Sequence, residues 1–280
     1  MAGKLYLCAT PIGNLEDMTF RAVRVLKEVD LIAAEDTRNS IKLLNHFEIT
    51  TKMTSYHEYN KYDKAAYLVE KILQGLNVAL ITDAGTPGIS DPGEELVRQC
   101  LAAGISVTSL PGACACINGL IISGFPTGRF CFEAFLPHDK KEREAVLQDL
   151  KTETRTIILY EAPHRLKKTL ELLKSVLGDR KISLCRELTK KYEERLSGTF
   201  EEMIAYHKDH EPRGEYVLVI EGRNREEMLR EGQQEWASMS LEDHMNLYEN
   251  QGMDRKAAMK EVAKDRGLSR RDVYQALLKR

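Results

Sequence analysis

Short runs of apolar and β-branched residues alternate with longer stretches of helical period through the first half of the chain. A chain that switches repeatedly between period 2 and period 3.6 builds layers of helix on sheet, so the fold class is α/β. Lys4–Ala9 reads as a strand, Phe20–Val29 as a helix, Leu31–Ala34 as a buried strand and Ile41–Phe47 as a helix. Ala65–Leu73 is helical, Val78–Thr82 is a strand, and helix resumes at Glu94–Ala103. Val107–Leu110 is a strand, followed after Pro-Gly by a small-residue helix over Ala113–Ser123.

Gly, Pro and Thr cluster in Phe125–Arg129, which marks a domain boundary between residues 1–124 and 125–222. The second segment reads as mixed α+β. Its strands are Phe130–Leu136, Thr156–Tyr160, Ile182–Glu187, Glu194–Gly198 and Tyr216–Glu221, with antiparallel pairing at the end, and its helices are Lys141–Leu150 and Leu166–Val176. Residues 223–280 carry no strand pattern and form a helical C-terminal extension. Its last part reads as two helices broken at Gly267, with Ser269 as N-cap and Asp272 three residues on.

Hydrophobic residues make up 42% and charged residues 30%, a balance that buries a core and excludes a disordered chain. No apolar run approaches the roughly 20 residues that cross a bilayer, and the N-terminus reads as a first strand rather than a signal peptide. The six cysteines sit mostly in apolar surroundings and form no CxxC pair; they read as reduced core residues of a cytoplasmic protein, with no metal site. A net charge of −2 gives no global attraction to nucleic acid, so such a partner needs a local patch. One exists from Asp254 to Arg280, where nine Lys and Arg stand against four Asp and Glu. It reads either as an RNA-contacting surface or as a solvated helix face.

Four loops follow strands, where open α/β sheets bind ligands: Ala9–Asn14, Glu35–Arg38, Asp83–Gly93 and Pro111–Ala115. The third is the most informative. Three glycines and two prolines in eleven residues make a stiff loop with its backbone polar groups available to a ligand, or else a structural Ω-loop. There is no GxxxxGK[ST], no GxGxxG after the first strand, no HExxH and no GxSxG, which excludes the common nucleotide-binding, metalloprotease and hydrolase signatures.

ATPIGN, AEDTR, DAGTPGISDPG, PGACA, FEAFLP, YEAPHR and GEYVLVIEG occur in this order. Together they resemble the ribosomal small-subunit ribose 2′-O-methyltransferase I family of the tetrapyrrole methylase superfamily, over about residues 4–222. The first motif more often begins Gly-Thr-Pro, and Ala134 stands where glycine is usual. The resemblance implies a two-domain, tetrapyrrole-methylase-like (class III methyltransferase) fold, S-adenosylmethionine in a cleft between the domains, a homodimer and no metal. It also implies cofactor contacts from Pro11, Ile12, Gly13, Asp83, Gly85, Thr86, Pro87, Ile89, Cys114, Ala115 and Tyr160. The implied target is the ribose of a decoding-centre cytidine in small-subunit rRNA, free or in the assembled subunit.

Methyl transfer from a sulfonium is an in-line displacement, and a ribose hydroxyl is a poor nucleophile at neutral pH. Candidates for assisting it are Asp36, Arg38, His164 and Arg165. Asp36 is placed to take a proton or orient the ribose and Arg38 to bind phosphate, yet an Asp-x-Arg pair after a strand equally makes a structural ion pair or helix cap. His164 reads as a base or as a hydrogen-bonded structural residue, and Arg165 as a phosphate ligand. Arg186, Glu187, Lys190 and Lys191 form a further polar cluster. On this reading Asp36→Ala and Arg165→Ala abolish methylation, and removing residues 254–280 weakens RNA binding. The competing readings are a methyltransferase of the same fold acting on a tetrapyrrole or other small molecule, and a non-catalytic ribosome-assembly protein.

Overall fold

The structure is a computed structural model that describes residues 1–278. Its first half is a five-stranded sheet ordered β3-β2-β4-β1-β5, in which every pair is parallel. The strands are β1 (Lys4–Cys8), β2 (Leu31–Ala34), β3 (Met53–Ser55), β4 (Val78–Ile81) and β5 (Ser106–Leu110). The connecting helices are α1 (Phe20–Glu28), α2 (Thr37–His46), α3 (Lys61–Leu73) and α4 (Gly93–Ala102).

All four residues of β4 are buried, because successive side chains feed two different cores. Ala79 and Ile81 join Val25, Leu26 and Leu44 of α1 and α2, while Val78 and Leu80 join Leu68, Ile72 and Leu96 of α3 and α4. The short run Met53–Ser55 is a strand that the sequence pattern did not disclose. It lies at the sheet edge, and three residues are too few to show a period.

After α5 (Ala115–Ser123) come β6 (Phe130–Phe135), α6 (Lys140–Lys151), β7 (Thr156–Glu161), α7 (Pro163–Leu177), β8 (Lys181–Arg186), β9 (Glu194–Thr199), α8 (Phe200–Asp209) and β10 (Tyr216–Ile220). The second sheet runs β6-β7-β10-β8-β9, parallel only between β6 and β7. Helix α8 was also not expected from periodicity, although its signal is local. Thr199 and Glu202 form a reciprocal capping box at its start.

Residues of α6, α7 and α8 cover one face of this sheet. The other face is covered by α5, whose Cys116 and Leu120 pack on Ile158, Cys185, Val217 and Val219. A Cβ added at Gly119 would lie 2.7 Å from Val217 Cγ1, so glycine sets the closeness of this approach. The boundary expected at 124/125 therefore falls after a helix that packs with the second sheet rather than the first. Both sheets belong to one compact unit, Met1–Lys151 with Arg155–Glu221.

Thr152–Thr154 and the chain from Gly222 onward form the second unit. Helices α9 (Arg225–Ala237), α10 (Leu241–Asn250), α11 (Arg255–Asp265) and α12 (Arg270–Leu278) enclose a small core of Met245, Ala258, Val262, Ala263 and Val273. The break at Gly267 and the cap at Ser269 are where the sequence placed them. Ser269 Oγ accepts from Asp272 N–H at 3.1 Å. Lys279 and Arg280, part of the basic excess counted above, lie outside the described residues.

Candidate active site

Three of the loops read from sequence are stitched together at the carboxyl ends of β1, β4 and β5. Thr10 and Gly85 exchange backbone hydrogen bonds of 2.9 and 3.0 Å, and Thr86 Oγ1 donates to the Ala113 carbonyl at 2.9 Å. The long loop is tied from within. The Asp91 carboxylate accepts from the N–H groups of Gly88, Ile89 and Gly93 at 2.7–3.1 Å. Gly85 (φ +85°) and Gly88 (φ +87°) supply its left-handed turns.

These loops, the β7–α7 turn, the segment after β8 and the start of β10 enclose a cavity of about 400 Å³. Its apolar wall includes Ile12, Cys114, Ala115, Tyr160, Leu188 and Val217, and its polar groups include Glu35, Asp83, Glu161, Glu187, Lys190 and Glu215. That mixture of a mostly apolar wall and a few converging polar groups is the ordinary character of a small-molecule site. Lys190 donates to Glu187 at 2.9 Å and to Glu215 at 3.0 Å, and its stem lies against Gly13, where a Cβ would meet Cγ at 2.2 Å. Burial opposes the charge of Lys190, but the two carboxylates outweigh it and hold its pKa above the usual lysine value.

Electrostatics divide the carboxyl groups. Burial raises Glu35, and its neighbours Asp83, Asp91 and Asp36 add to the rise, against a hydrogen bond from the Asp83 N–H. Asp36 goes the other way, down to about 2, through hydrogen bonds from the Arg38 side chain and backbone. At the start of α5, Cys114 and Cys116 place their sulfurs 3.4 Å apart. The hydrogen bond from Cys116 pushes Cys114 down to about 6, helped by backbone N–H groups of the helix start, and pushes Cys116 up. The Cys116 N–H donates to the Tyr160 hydroxyl at 3.1 Å.

Of the residues expected to contact a cofactor, Ile12, Asp83, Gly85, Thr86, Ile89, Cys114, Ala115 and Tyr160 line the cavity. Pro11, Gly13 and Pro87 stand beside lining residues without lining it themselves. None of the four residues expected to assist the chemistry lines it. Asp36 is the N-cap of α2 and is paired with Arg38 at 2.8 Å. His164 is exposed on the first turn of α7. Arg165 donates to the Leu136 carbonyl at 2.9 Å and stands 3.4 Å from Glu161, which is only 2% exposed.

Glu35, from one of the four ligand-binding loops read from sequence, and Lys190, from the polar cluster after β8, line the cavity, as do Glu161, Leu188, Glu215 and Val217, which were not expected. Glu35 and Glu161 sit inside quoted motifs, which was the available signal. Glu215 and Val217 sit in the closing GEYVLVIEG motif and reach the cavity because β10 inserts between β7 and β8, whereas Leu188, just after β8, lies in no quoted motif. Among the described residues, no group of three or more His, Cys, Asp and Glu side chains could hold a metal ion.

Comparison with known proteins agrees with this architecture. The family profile "Tetrapyrrole (Corrin/Porphyrin) Methylases" matches residues 4–204. Ribosomal RNA small subunit methyltransferase I of Halalkalibacterium halodurans is 50% identical over 272 residues, covering 97% of this chain and 93% of the relative. The proteins of the same name from Bacillus subtilis and Synechocystis are each 48% identical, over 98% and 99% of this chain and 94% and 98% of theirs. Diphthine synthase superposes with a TM-score of 0.64 at 13% identity, covering 79% of this chain and 91% of that one. The methyltransferase CobJ does so with 0.60 at 18% identity, covering 79% and 95%. At such identities the structural likeness speaks for the fold alone. The α/β two-sheet fold, the ordered motifs and full-length identity near one half place this chain in the ribosomal RNA small subunit methyltransferase I family, within the tetrapyrrole methylases.

Proposed function

We propose that this chain transfers the methyl group of S-adenosylmethionine to the ribose 2′-oxygen of cytidine 1402 in small-subunit (16S) rRNA. The observation that carries this reading is identity of 48–50% to proteins named for that RNA, over 97–99% of this chain. The cavity's chemistry fits the donor. Its apolar wall suits a purine and a thioether chain, Lys190 and the loop N–H groups suit a carboxylate, and the carboxylates suit ribose hydroxyls and an ammonium.

Bound there, S-adenosylmethionine supplies a methyl group already activated on a sulfonium. The protein's own part is placement and proton handling. The loop closed by Asp91 presents fixed backbone groups, which lowers the entropy lost on binding. Tyr160, held by the Cys116 N–H, forms a rigid wall. Burial raises the proton affinity of two lining carboxylates, Glu35 and Asp91, but Asp91 is spent on the loop N–H groups, so Glu35 is the group suited to accept the ribose proton. Asp36, held near 2 and engaged with Arg38, is not.

RNA is gripped by the basic helical extension on this reading. Lys256, Lys260, Arg270 and Arg271 are exposed there, while Arg266 is spent internally on His244. The chain acts as a homodimer. Helix α5 is apolar on every side, and the side turned from the second sheet leaves Ile117, Ile121 and Ile122 exposed, a surface that a second copy covers. Sedimentation of Ile121→Asp as one chain and of the wild type as two would support this, and a monomeric wild type would refute it. No described helix is long and apolar enough to cross a membrane.

Mass-spectrometric mapping of 16S rRNA in cells lacking the protein tests the reading. The 2′-O-methyl mark at the target cytidine is expected to vanish and to return on complementation; a mark that persists would reject the assignment.

A further inference from the structure

The motif FEAFLP reaches the donor cavity through a single residue, Phe135, and its geometry is unusual. Along β6, Phe132 pairs with Ile158 of β7, but the next pair is Phe135 with Tyr160. Three residues on one strand answer two on the other, which is a β-bulge. Ala134 stands in it with φ +51°, a left-handed conformation that is strained for a residue bearing a Cβ. A regular strand would set Ala134 opposite Tyr160 and turn Phe135 to the other face, toward the core of Cys131 and Leu136. The extra residue returns Phe135 to the Tyr160 face, where it lines the donor cavity.

Phe135 is then fixed from both sides. Its ring meets Tyr160 edge-on at 5.6 Å, and the Tyr160 hydroxyl is anchored by the Cys116 N–H. Immediately after it, the Leu136 carbonyl accepts from Arg165 Nη2 at 2.9 Å, and the Pro137 and His138 carbonyls accept from Arg143. Yet the ring remains 47% exposed, whereas Leu188 and Val217 of the same cavity are 7% and 5% exposed. A strained, clamped, solvent-facing aromatic ring at the rim of the donor cavity is poorly explained by packing and well suited to a reactant that arrives from solvent.

We propose that Phe135 is the platform on which the base of the target nucleotide stacks when its ribose enters the cavity. Proteins that recognise single-stranded or loop RNA take its unstacked bases onto exposed aromatic side chains. The bulge at Ala134 aims the platform, and Arg165 is a positioning residue that holds the chain behind it. This inference rests on the rRNA reading above.

The test uses the full-length protein and small ribosomal subunits from cells lacking it. Methyl-transfer kinetics and S-adenosylmethionine affinity by calorimetry are measured for wild type, Phe135→Leu and Phe135→Trp, with thermal melts to establish that each variant folds. Phe135→Leu is expected to lose roughly ten- to hundredfold in kcat/KM for the subunit, the worth of one base–aromatic stack. Its S-adenosylmethionine affinity should stay within about twofold of wild type, and Phe135→Trp should retain most of the activity. Wild-type kinetics in Phe135→Leu would overturn the proposal. So would a loss of donor affinity as large as the loss in kcat/KM, which would assign the ring to the donor, or a Trp variant as damaged as the Leu variant. A wild-type protein that transfers no methyl group to these subunits would instead refute the rRNA reading itself.

Discussion

Two neighbouring carboxylates, Glu35 and Asp36, show what sequence can and cannot separate at the scale of a residue. Both follow β2 in one motif, and the chemistry of the side chains is almost the same. Asp36 caps α2 and pairs with Arg38, which pulls its pKa to about 2, whereas burial and like charges push Glu35 up inside the cavity. Polar motif residues that fix a loop and those that do chemistry look alike until their partners are known. Glu35→Gln is therefore expected to lower kcat by about 10²–10⁴ with donor affinity preserved, as for loss of a general base. Because the base must be ionised, the wild-type rate should rise with pH through the raised Glu35 value, and the variant should lose that limb. A pH–rate profile of Glu35→Gln with an unchanged acid limb would remove Glu35 from the mechanism. Arg165 teaches the same lesson from the other side, since it serves the backbone of FEAFLP and the buried Glu161 rather than an RNA phosphate.

At the scale of elements, strong local patterns were legible and short or non-local ones were not. Leu31–Ala34 is visible because four apolar residues stand between charged ones, and the stiff Asp83–Gly93 loop because glycine and proline punctuate it. The edge strand Met53–Ser55 is invisible because its pairing with β2, not its own period, makes it a strand. In the helical extension, α10 buries His244 completely, stacked on Trp236 at 4.0 Å, with Nδ1 accepting from Arg266 Nε at 3.1 Å. Burial, and then the Arg266 charge, lower its pKa below the ordinary value near 6.5. The folded form thus favours neutral imidazole. Stability from this site is present above the unfolded pKa and lost as pH falls through the folded one. Hydrogen exchange in α10 and α11 is expected to speed up, relative to the intrinsic rate, as pH drops below the ordinary histidine value of 6.5. His244→Gln should lessen that dependence; protection that stays constant to pH 5 would contradict it.

For the whole molecule, the proposed division of labour is a donor cavity in one unit and an RNA-gripping helical surface in the other. A net charge of −2 conceals this, because the surplus of cations is local. Replacing Lys256, Lys260, Arg270 and Arg271 together by alanine should weaken RNA binding and flatten its salt dependence by up to about 3 in log–log slope, at about 0.7 per lost phosphate contact. Unchanged affinity and slope would place the RNA grip elsewhere. The central claim is that the cavity at the Asp83–Gly93 loop serves methyl transfer to a ribose of the small-subunit RNA. Its most direct test is reconstitution: purified protein, isotope-labelled S-adenosylmethionine and small subunits from cells lacking the protein, followed by nuclease digestion and mass spectrometry. One labelled 2′-O-methylcytidine is predicted; label on a base atom, or none, would contradict it.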